Sequence, residues 1–190
     1  ETVVELAGIK PGDAVIDVCA APGGKAMHAL AKLHGKGSVQ ARDLTENKVS
    51  MIEENIERCA GAADTIEVLV WDARILDPQA LEKADVVIAD LPCSGLGVIG
   101  RKSDIKYRMT PEQVADIAAL QREILSVVWQ YVKPGGILMY STCTLTKAEN
   151  QDNRDWFLKN SPFTLLEEKE LLPSAETDGF YMIKCRRNKA

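Results

Sequence analysis

Cys93 and Cys143 each stand just past a short apolar run, Val86-Val87-Ile88-Ala89 before the first and Ile137-Leu138-Met139-Tyr140 before the second. A thiol so placed can act, as its thiolate, as a covalent nucleophile. If the two runs are neighbouring strands, the sulfurs face one pocket from opposite sides. Asp90, between the first run and Cys93, can then hydrogen-bond a polar ring. Cys19 lies in a turn of small residues, Asp17-Val18-Cys19-Ala20-Ala21-Pro22-Gly23-Gly24-Lys25. Such a turn lets backbone amides approach a ligand, and a helix opening behind it favours an anionic group. Asp43 follows Gly24 by 19 residues, the spacing at which an acid on the next strand takes ribose hydroxyls. Asp72 follows a third apolar run. Four carboxylates (Asp17, Asp43, Asp72, Asp90) and two thiols at one rim are more polar chemistry than a sheet edge requires.

Other chemistries are excluded by spacing. Gly24-Lys25 lacks both the glycine five residues upstream and the following Ser or Thr of a phosphate loop. Gly95-Leu96-Gly97-Val98-Ile99-Gly100 spells a dinucleotide pattern but opens no helix, and no strand-end acid follows about 20 residues on, so it reads as a mobile loop beside the site. No Cys-x-x-Cys pair exists and His28 and His34 are six apart, so no zinc site is expected. Five cysteines are an odd number without a secretory mark, which points to a reducing, cytoplasmic compartment rather than a disulfide framework. Cys59 and Cys185 read as small buried hydrophobes. No apolar run approaches the roughly 18 residues of a membrane span.

The elements that must position these residues alternate. Strands are expected at 14–18, 38–42, 65–70, 85–89 and 137–141. Helices are expected from the glycine turn to Leu33, over 45–59, from Thr110, and from Thr146 to about Asn160. Thr110-Pro111-Glu112-Gln113 is a capping box with proline in the first turn. From there Val114, Ile117, Ala118, Gln121, Ile124, Leu125, Val128 and Val132 share one face. Thr146-x-x-Glu149 reads as a second capping box. Phe163–Leu166 and Phe180–Cys185 read as two last strands with no helix between them. About five strand–helix alternations in 190 residues argue one α/β domain, a doubly wound and mostly parallel sheet with one antiparallel strand near its edge. Ligands of such sheets bind beyond the carboxyl ends of the strands.

Composition sets limits on partners. Hydrophobic residues make up 46% and charged residues 27%, a globular balance. The net charge of −5 counts against nucleic acid unless a basic part lies elsewhere. Two basic clusters break the acidic background: Arg101, Lys102, Lys106 and Arg108, then Lys184, Arg186, Arg187 and Lys189. The opening Glu1-Thr2-Val3-Val4-Glu5-Leu6 reads as the middle of a helix, so an upstream segment is expected.

Three spaced motifs, Asp17 to Lys25, Asp90-Leu91-Pro92-Cys93-Ser94-Gly95-Leu96-Gly97 and Tyr140-Ser141-Thr142-Cys143-Thr144, together with the ending Thr177-Asp178-Gly179-Phe180-Tyr181, closely resemble RNA cytosine-5 methyltransferases of the Sun/Fmu type, most nearly the bacterial branch acting on small-subunit ribosomal RNA. The resemblance covers essentially the whole chain. It implies a Rossmann-like class I fold dependent on S-adenosyl-L-methionine, with seven strands, the last inserted antiparallel. It implies that Cys19, Ala20, Ala21, Pro22, Gly23, Gly24 and Lys25 wrap the methionine end of the cofactor. Asp43 would take the ribose, Asp72 would stand beside the adenine, and Asp90 would face both cofactor and base. Cys143 would be the nucleophile and Cys93 the second cysteine, serving product release. Leu91 departs from the small residue usual there and would tighten the pocket wall. The family's N-terminal RNA-binding part is absent from residues 1–190, so most RNA affinity is expected from that part and little from this domain; no metal and no membrane are implied. Rival readings are a transfer-RNA enzyme of the same family, an amino-methyltransferase, a non-catalytic cofactor-fold module and a nicotinamide dehydrogenase. The amino-methyltransferase needs no cysteine and usually carries an aromatic residue where Cys93 stands.

Overall fold

The computed structural model describes residues 2–59, 66–97 and 109–189. Thr65, the first basic cluster and residues 98–100 of the glycine pattern lie outside the described residues. Among the described residues seven strands form one sheet: β1 (Ala14–Asp17), β2 (Ser38–Asp43), β3 (Ile66–Val70), β4 (Ala84–Asp90), β5 (Val132–Thr142), β6 (Phe163–Leu171) and β7 (Phe180–Arg187), in the order β3-β2-β1-β4-β5-β7-β6. All neighbouring pairs are parallel except those made by β7, which runs antiparallel between β5 and β6. The expected architecture is therefore present, including its single reversed strand.

Strand periodicity divides the core. Val15, Val39, Ala41, Val86, Ile88, Met139 and Met182 face one side, against α1 (Val3–Ala7), α2 (Gly24–Leu33) and α3 (Glu46–Arg58), which contributes Ile52 and Ile56. Ile16, Val87, Ala89, Leu138, Tyr140, Tyr181 and Ile183 face the other, under Ile124, Leu125 and Val128 of α4 (Pro111–Val128) and Phe157 of α5 (Gln151–Asn160). Burial on both faces explains why the central strands read as continuous apolar runs. Asp17 pairs with Ile88, Asp43 with Val70, and Asp90 with Ser141, so the polar strand ends come out along one rim.

Several local expectations are corrected. Thr2 is not mid-helix: its side chain accepts from the Glu5 amide, the Glu5 carboxylate accepts from the Thr2 amide, and α1 begins there. Val132 belongs to β5 rather than to the face of α4, because α4 ends at Val128 and a 3-10 turn, Trp129–Tyr131, intervenes. Val132 pairs with Ala84, and the register shifts before Val86 pairs with Ile137, where Pro134 interrupts the ladder by lacking an N–H. Cys59 is exposed, while Cys185 is buried as expected. Glu149 does not cap α5. That helix starts one turn later behind Asn150, and Glu149 turns inward.

Arg42 is the largest buried polar side chain, 2% exposed. Its Nη2 lies 2.6 Å from Asp77 Oδ2, its Nε donates to Gln40, and its guanidinium carbon sits 5.3 Å from the rings of Trp71 and Tyr131. Removing the anion strands a buried cation, so Asp77→Ala should destabilise the fold by about 3–5 kcal/mol. Urea denaturation reads this directly, and a loss under about 1 kcal/mol, the scale of a surface pair, would refute the buried pairing.

Candidate active site

The turn after β1 is shaped by its glycines. Gly23, which precedes α2, has φ of 110°, a left-handed backbone that an L side chain would strain. The turn and the start of α2 line a cavity of about 490 Å³ with Asp17, Cys19, Ala21, Lys25 and Asp90. A second cavity, of about 190 Å³, is lined by Cys19, Asp43, Asp72 and Pro92. Cys19 lies on both, so the two cavities adjoin along the turn.

Asp43 is buried; its Oδ2 accepts from the Ala21 amide at 2.9 Å and its Oδ1 from the Leu44 amide at 2.7 Å. Each carboxylate oxygen retains acceptor capacity toward a ligand. Asp72 is held by Arg74 through Nε at 3.0 Å and Nη2 at 2.8 Å, and the arginine keeps its pKa below the usual carboxylate range. Cys19 is pushed up by burial and by the anionic Asp17, Asp43 and Asp90, so it stays a protonated wall residue.

Asp17 is 1% exposed and both its carboxylate oxygens lack a hydrogen-bond partner. Burial first, and Asp90 second, push its pKa up to about 7. The sequence placed Asp17 at the rim without a role; its isolation became visible only in three dimensions. Lys25 Nζ lies 2.5 Å from Asp90 Oδ2. Burial disfavours the lysine's charge, but Asp90 and Asp17 outweigh it and raise its pKa. Asp90 Oδ1 accepts from the Ser141 hydroxyl at 2.8 Å, which links the first cavity to the strand that ends before Cys143.

The two cysteines do not face each other across a pocket. Their sulfurs are 2.8 Å apart, in hydrogen-bond contact, and the Cys143 amide donates to Cys93 Sγ at 3.3 Å. The cause is a set of bonds between the two turns. Leu91 N donates to Ser141 O, Gly97 N donates to Cys143 O at 3.0 Å, and the Ser94 and Thr144 hydroxyls meet at 2.8 Å. A Cβ on Gly97 would lie 2.7 Å from Cys143 O and 2.5 Å from Gly179 O, so glycine is needed there for close approach. The described part of the glycine pattern is thus tied down against the Cys143 turn rather than free. With Cys93 S–H donating, Cys143 is held below the ordinary thiol range, while the same bond and burial push Cys93 up. Of the two thiols, Cys143 is the one whose deprotonation this contact favours. Its alkylation by iodoacetamide should reach half its maximal rate below the ordinary thiol pKa of about 8.5, with Cys93 unreacted in that range. Mass mapping of alkylated peptides across pH would show the reverse order if Cys93 were the thiolate.

The cavity residues suit a cationic, elongated ligand with one anionic end. Four carboxylates (Asp17, Asp43, Asp72, Asp90) line the two adjoining cavities, an unpartnered one sits where an ammonium could pair, and the N-terminus of α2 offers its amides. S-Adenosyl-L-methionine has these features, and the residues present fit it. Among the described residues no helix is long and apolar enough to cross a membrane, and no group of three His, Cys, Asp or Glu residues could hold a metal ion.

Residues 4–185 match the family described as 16S rRNA methyltransferase RsmB/F. The ribosomal RNA small subunit methyltransferase B of Vibrio cholerae is 39% identical over 181 residues, covering 90% of this chain and 40% of its own length. That of Cronobacter sakazakii is 37% identical, covering 95% of this chain and 44% of its own length. The crystal structure of NSun6 from Pyrococcus horikoshii with SFG superimposes with a TM-score of 0.89 at 29% identity, covering 99% of this chain and 51% of that one. The chain therefore spans less than half the length of these two curated relatives. With the seven-stranded fold of S-adenosylmethionine-dependent methyltransferases and a match over nearly its whole length, this chain belongs to the RsmB/F family of 16S rRNA methyltransferases.

Proposed function

We propose that this chain is the catalytic domain of an enzyme that transfers a methyl group from S-adenosyl-L-methionine to carbon 5 of a cytosine in RNA, through a covalent adduct on Cys143. The observation that carries this reading is the thiol pair at 2.8 Å, at the ends of adjacent parallel strands and next to Asp90. Transfer to an exocyclic nitrogen needs no such pair. The curated relatives named above are ribosomal RNA small subunit methyltransferases, which supports ribosomal RNA as the substrate class.

Each residue then has a task. Asp17 would receive the ammonium of the cofactor, Asp43 the ribose hydroxyls, and Asp72, steadied by Arg74, the adenine side. Residues Cys19 to Lys25 would enclose the methionine end. The cofactor supplies an electrophilic methyl group on a sulfonium. Carbon 5 of cytosine is a poor nucleophile until the ring loses its conjugation. Attack of the Cys143 thiolate on carbon 6 gives carbon 5 enamine character, splitting one hard step into easier ones. Asp90, held by Lys25 and Ser141, would carry a carboxyl proton when the base binds and donate it in a hydrogen bond to N3, stabilising the negative charge that thiolate attack places on the ring. After transfer the carbon 5 proton must leave so that Cys143 is eliminated, and Cys93 would serve that stage. RNA affinity would come mainly from a further RNA-binding part beyond this domain.

The test is nucleoside mass spectrometry of small-subunit ribosomal RNA after incubation with isotopically labelled cofactor. Label in 5-methylcytidine is expected; label in N4-methylcytidine would overturn the reading. For the cofactor site, Asp43→Ala should cost about 1–3 kcal/mol of binding, because it removes the ribose acceptor and leaves the Ala21 amide without its bond. Calorimetry with unchanged affinity would remove Asp43 from the site.

A further inference from the structure

Behind the thiol pair lies a buried polar layer centred on Glu149, which is 0% exposed. One of its oxygens accepts from the Ser94 amide at 2.8 Å and from Gln121 Nε2 at 3.2 Å. The other accepts from the Ser94 hydroxyl at 2.7 Å and from the Thr146 hydroxyl. Gln121 Nε2 also donates to Pro92 O at 2.8 Å. The residues on both sides of Cys93 are therefore anchored to this pair, Pro92 through Gln121 and Ser94 through Glu149. On the other turn, Thr146 N reaches Thr144 Oγ1, and Thr144 follows Cys143 directly. A buried carboxylate is costly unless its lone pairs are satisfied. Here four donors meet two oxygens, which an acceptor-only group can accommodate and an amide cannot.

We propose that Glu149 is a positioning residue for the thiol pair: its carboxylate ties the turn carrying Cys93 to the turn carrying Cys143 and so sets the sulfur–sulfur contact. Glu149 touches neither sulfur and acts through Ser94, Gln121 and Thr146. The proposal deepens the reading above and rests on Cys143 and Cys93 being the reacting pair.

The sign of one measurement separates this role from a simple charge effect. The groups facing Cys143 are Cys93, Asp90, Lys25 and Glu149. Through its charge, Glu149 raises the Cys143 pKa; by holding Cys93 in place as donor, it lowers it. Glu149→Gln, isosteric and neutral, should therefore move the pH midpoint of Cys143 alkylation upward if positioning dominates and downward if charge alone acts.

A second readout reports proximity. Phenylarsine oxide condenses with two neighbouring thiols, forming two arsenic–sulfur bonds and releasing one water with no change of oxidation state. The purified chain should bind it through Cys93 and Cys143, as peptide mapping of protected thiols would show. We expect Glu149→Gln to weaken that binding about tenfold, the scale of one lost hydrogen bond to a charged group, and Glu149→Ala to weaken it further. Phe157→Leu is the control. Phe157 is 2% exposed, packs in the core of the same side of the sheet against Phe163, and has no side-chain hydrogen bond to this network. It should lower the melting temperature and leave arsenical binding within about twofold. Unchanged arsenical binding in Glu149→Gln, a downward alkylation midpoint, or an equal loss in Phe157→Leu would each overturn the proposal. Should Glu149→Ala fail to fold, Glu149→Gln decides. The reading of Cys143 as nucleophile fails separately, if Cys143→Ala still forms the RNA adduct.

Discussion

Cys143→Ala is expected to reduce methylation to background and to abolish any covalent complex with RNA, whereas Cys93→Ala should leave attack possible and trap the protein on its substrate. The order of steps dictates the difference: addition comes first, elimination last, and a variant that blocks the last step accumulates what the first step made. The geometry adds a quantitative refinement. With Cys93 as the donor of the 2.8 Å sulfur–sulfur contact, its S–H favours the Cys143 thiolate, so its loss also raises the Cys143 pKa. Adduct formation by Cys93→Ala should therefore be slower at neutral pH, by about tenfold for each unit of that rise, and should recover as pH is raised. A denaturing gel of both variants, incubated with RNA and cofactor across pH, measures this. A retarded band with Cys143→Ala and none with Cys93→Ala would exchange the two roles, and no band with either would refute the covalent mechanism.

The second large effect concerns Asp17. Burial pushes its pKa up to about 7, above the ordinary carboxylate range near 4, so its contribution to stability is full below about pH 4 and is lost as pH rises through 7. A shift of about three units corresponds to at most about 4 kcal/mol. The ligand-free chain should therefore lose stability between pH 4 and 8, and Asp17→Asn should flatten that decline. A cation paired with Asp17 reverses the preference, because the charged carboxylate then gains a partner. Adenosylmethionine binding at pH 6 should accordingly release up to about one proton from the wild type and markedly less from Asp17→Asn, whose affinity should fall by about 1.5–3 kcal/mol. Calorimetry in two buffers of different ionisation enthalpy counts the protons. Equal release from both proteins would remove Asp17 from the ammonium site, and a wild-type melting temperature unchanged across pH 4 to 8 would refute its raised pKa.

The sequence by itself determined the alternation of strands and helices, the mostly parallel sheet and the rim on which Asp17, Asp43, Asp90 and the two cysteines lie. Those properties follow from period-two and period-3.6 burial and from local turn chemistry, which act over a few residues. The capping box at Thr110 and Gln113 was legible for the same reason, since both its bonds are local. The identical pattern at Thr146 and Glu149 was not. There the Glu149 carboxylate had a stronger set of partners from the turn after β4 (Ser94) and from α4 (Gln121), far away in sequence, and local capping lost to buried hydrogen bonds. Likewise, apolar runs placed Cys93 and Cys143 just past two strands but left open whether those strands are neighbours, and could not reveal that their turns are bonded together until the sulfurs touch. That contact depends on Gly97 meeting Cys143 and Gly179, and Ser94 meeting Thr144, across 46 to 82 residues of chain. Only the tertiary structure decided it, as it decided that Asp17 would be buried with no donor. Desolvation and the absence of a partner are properties of a packed neighbourhood, and no spacing along the chain encodes them.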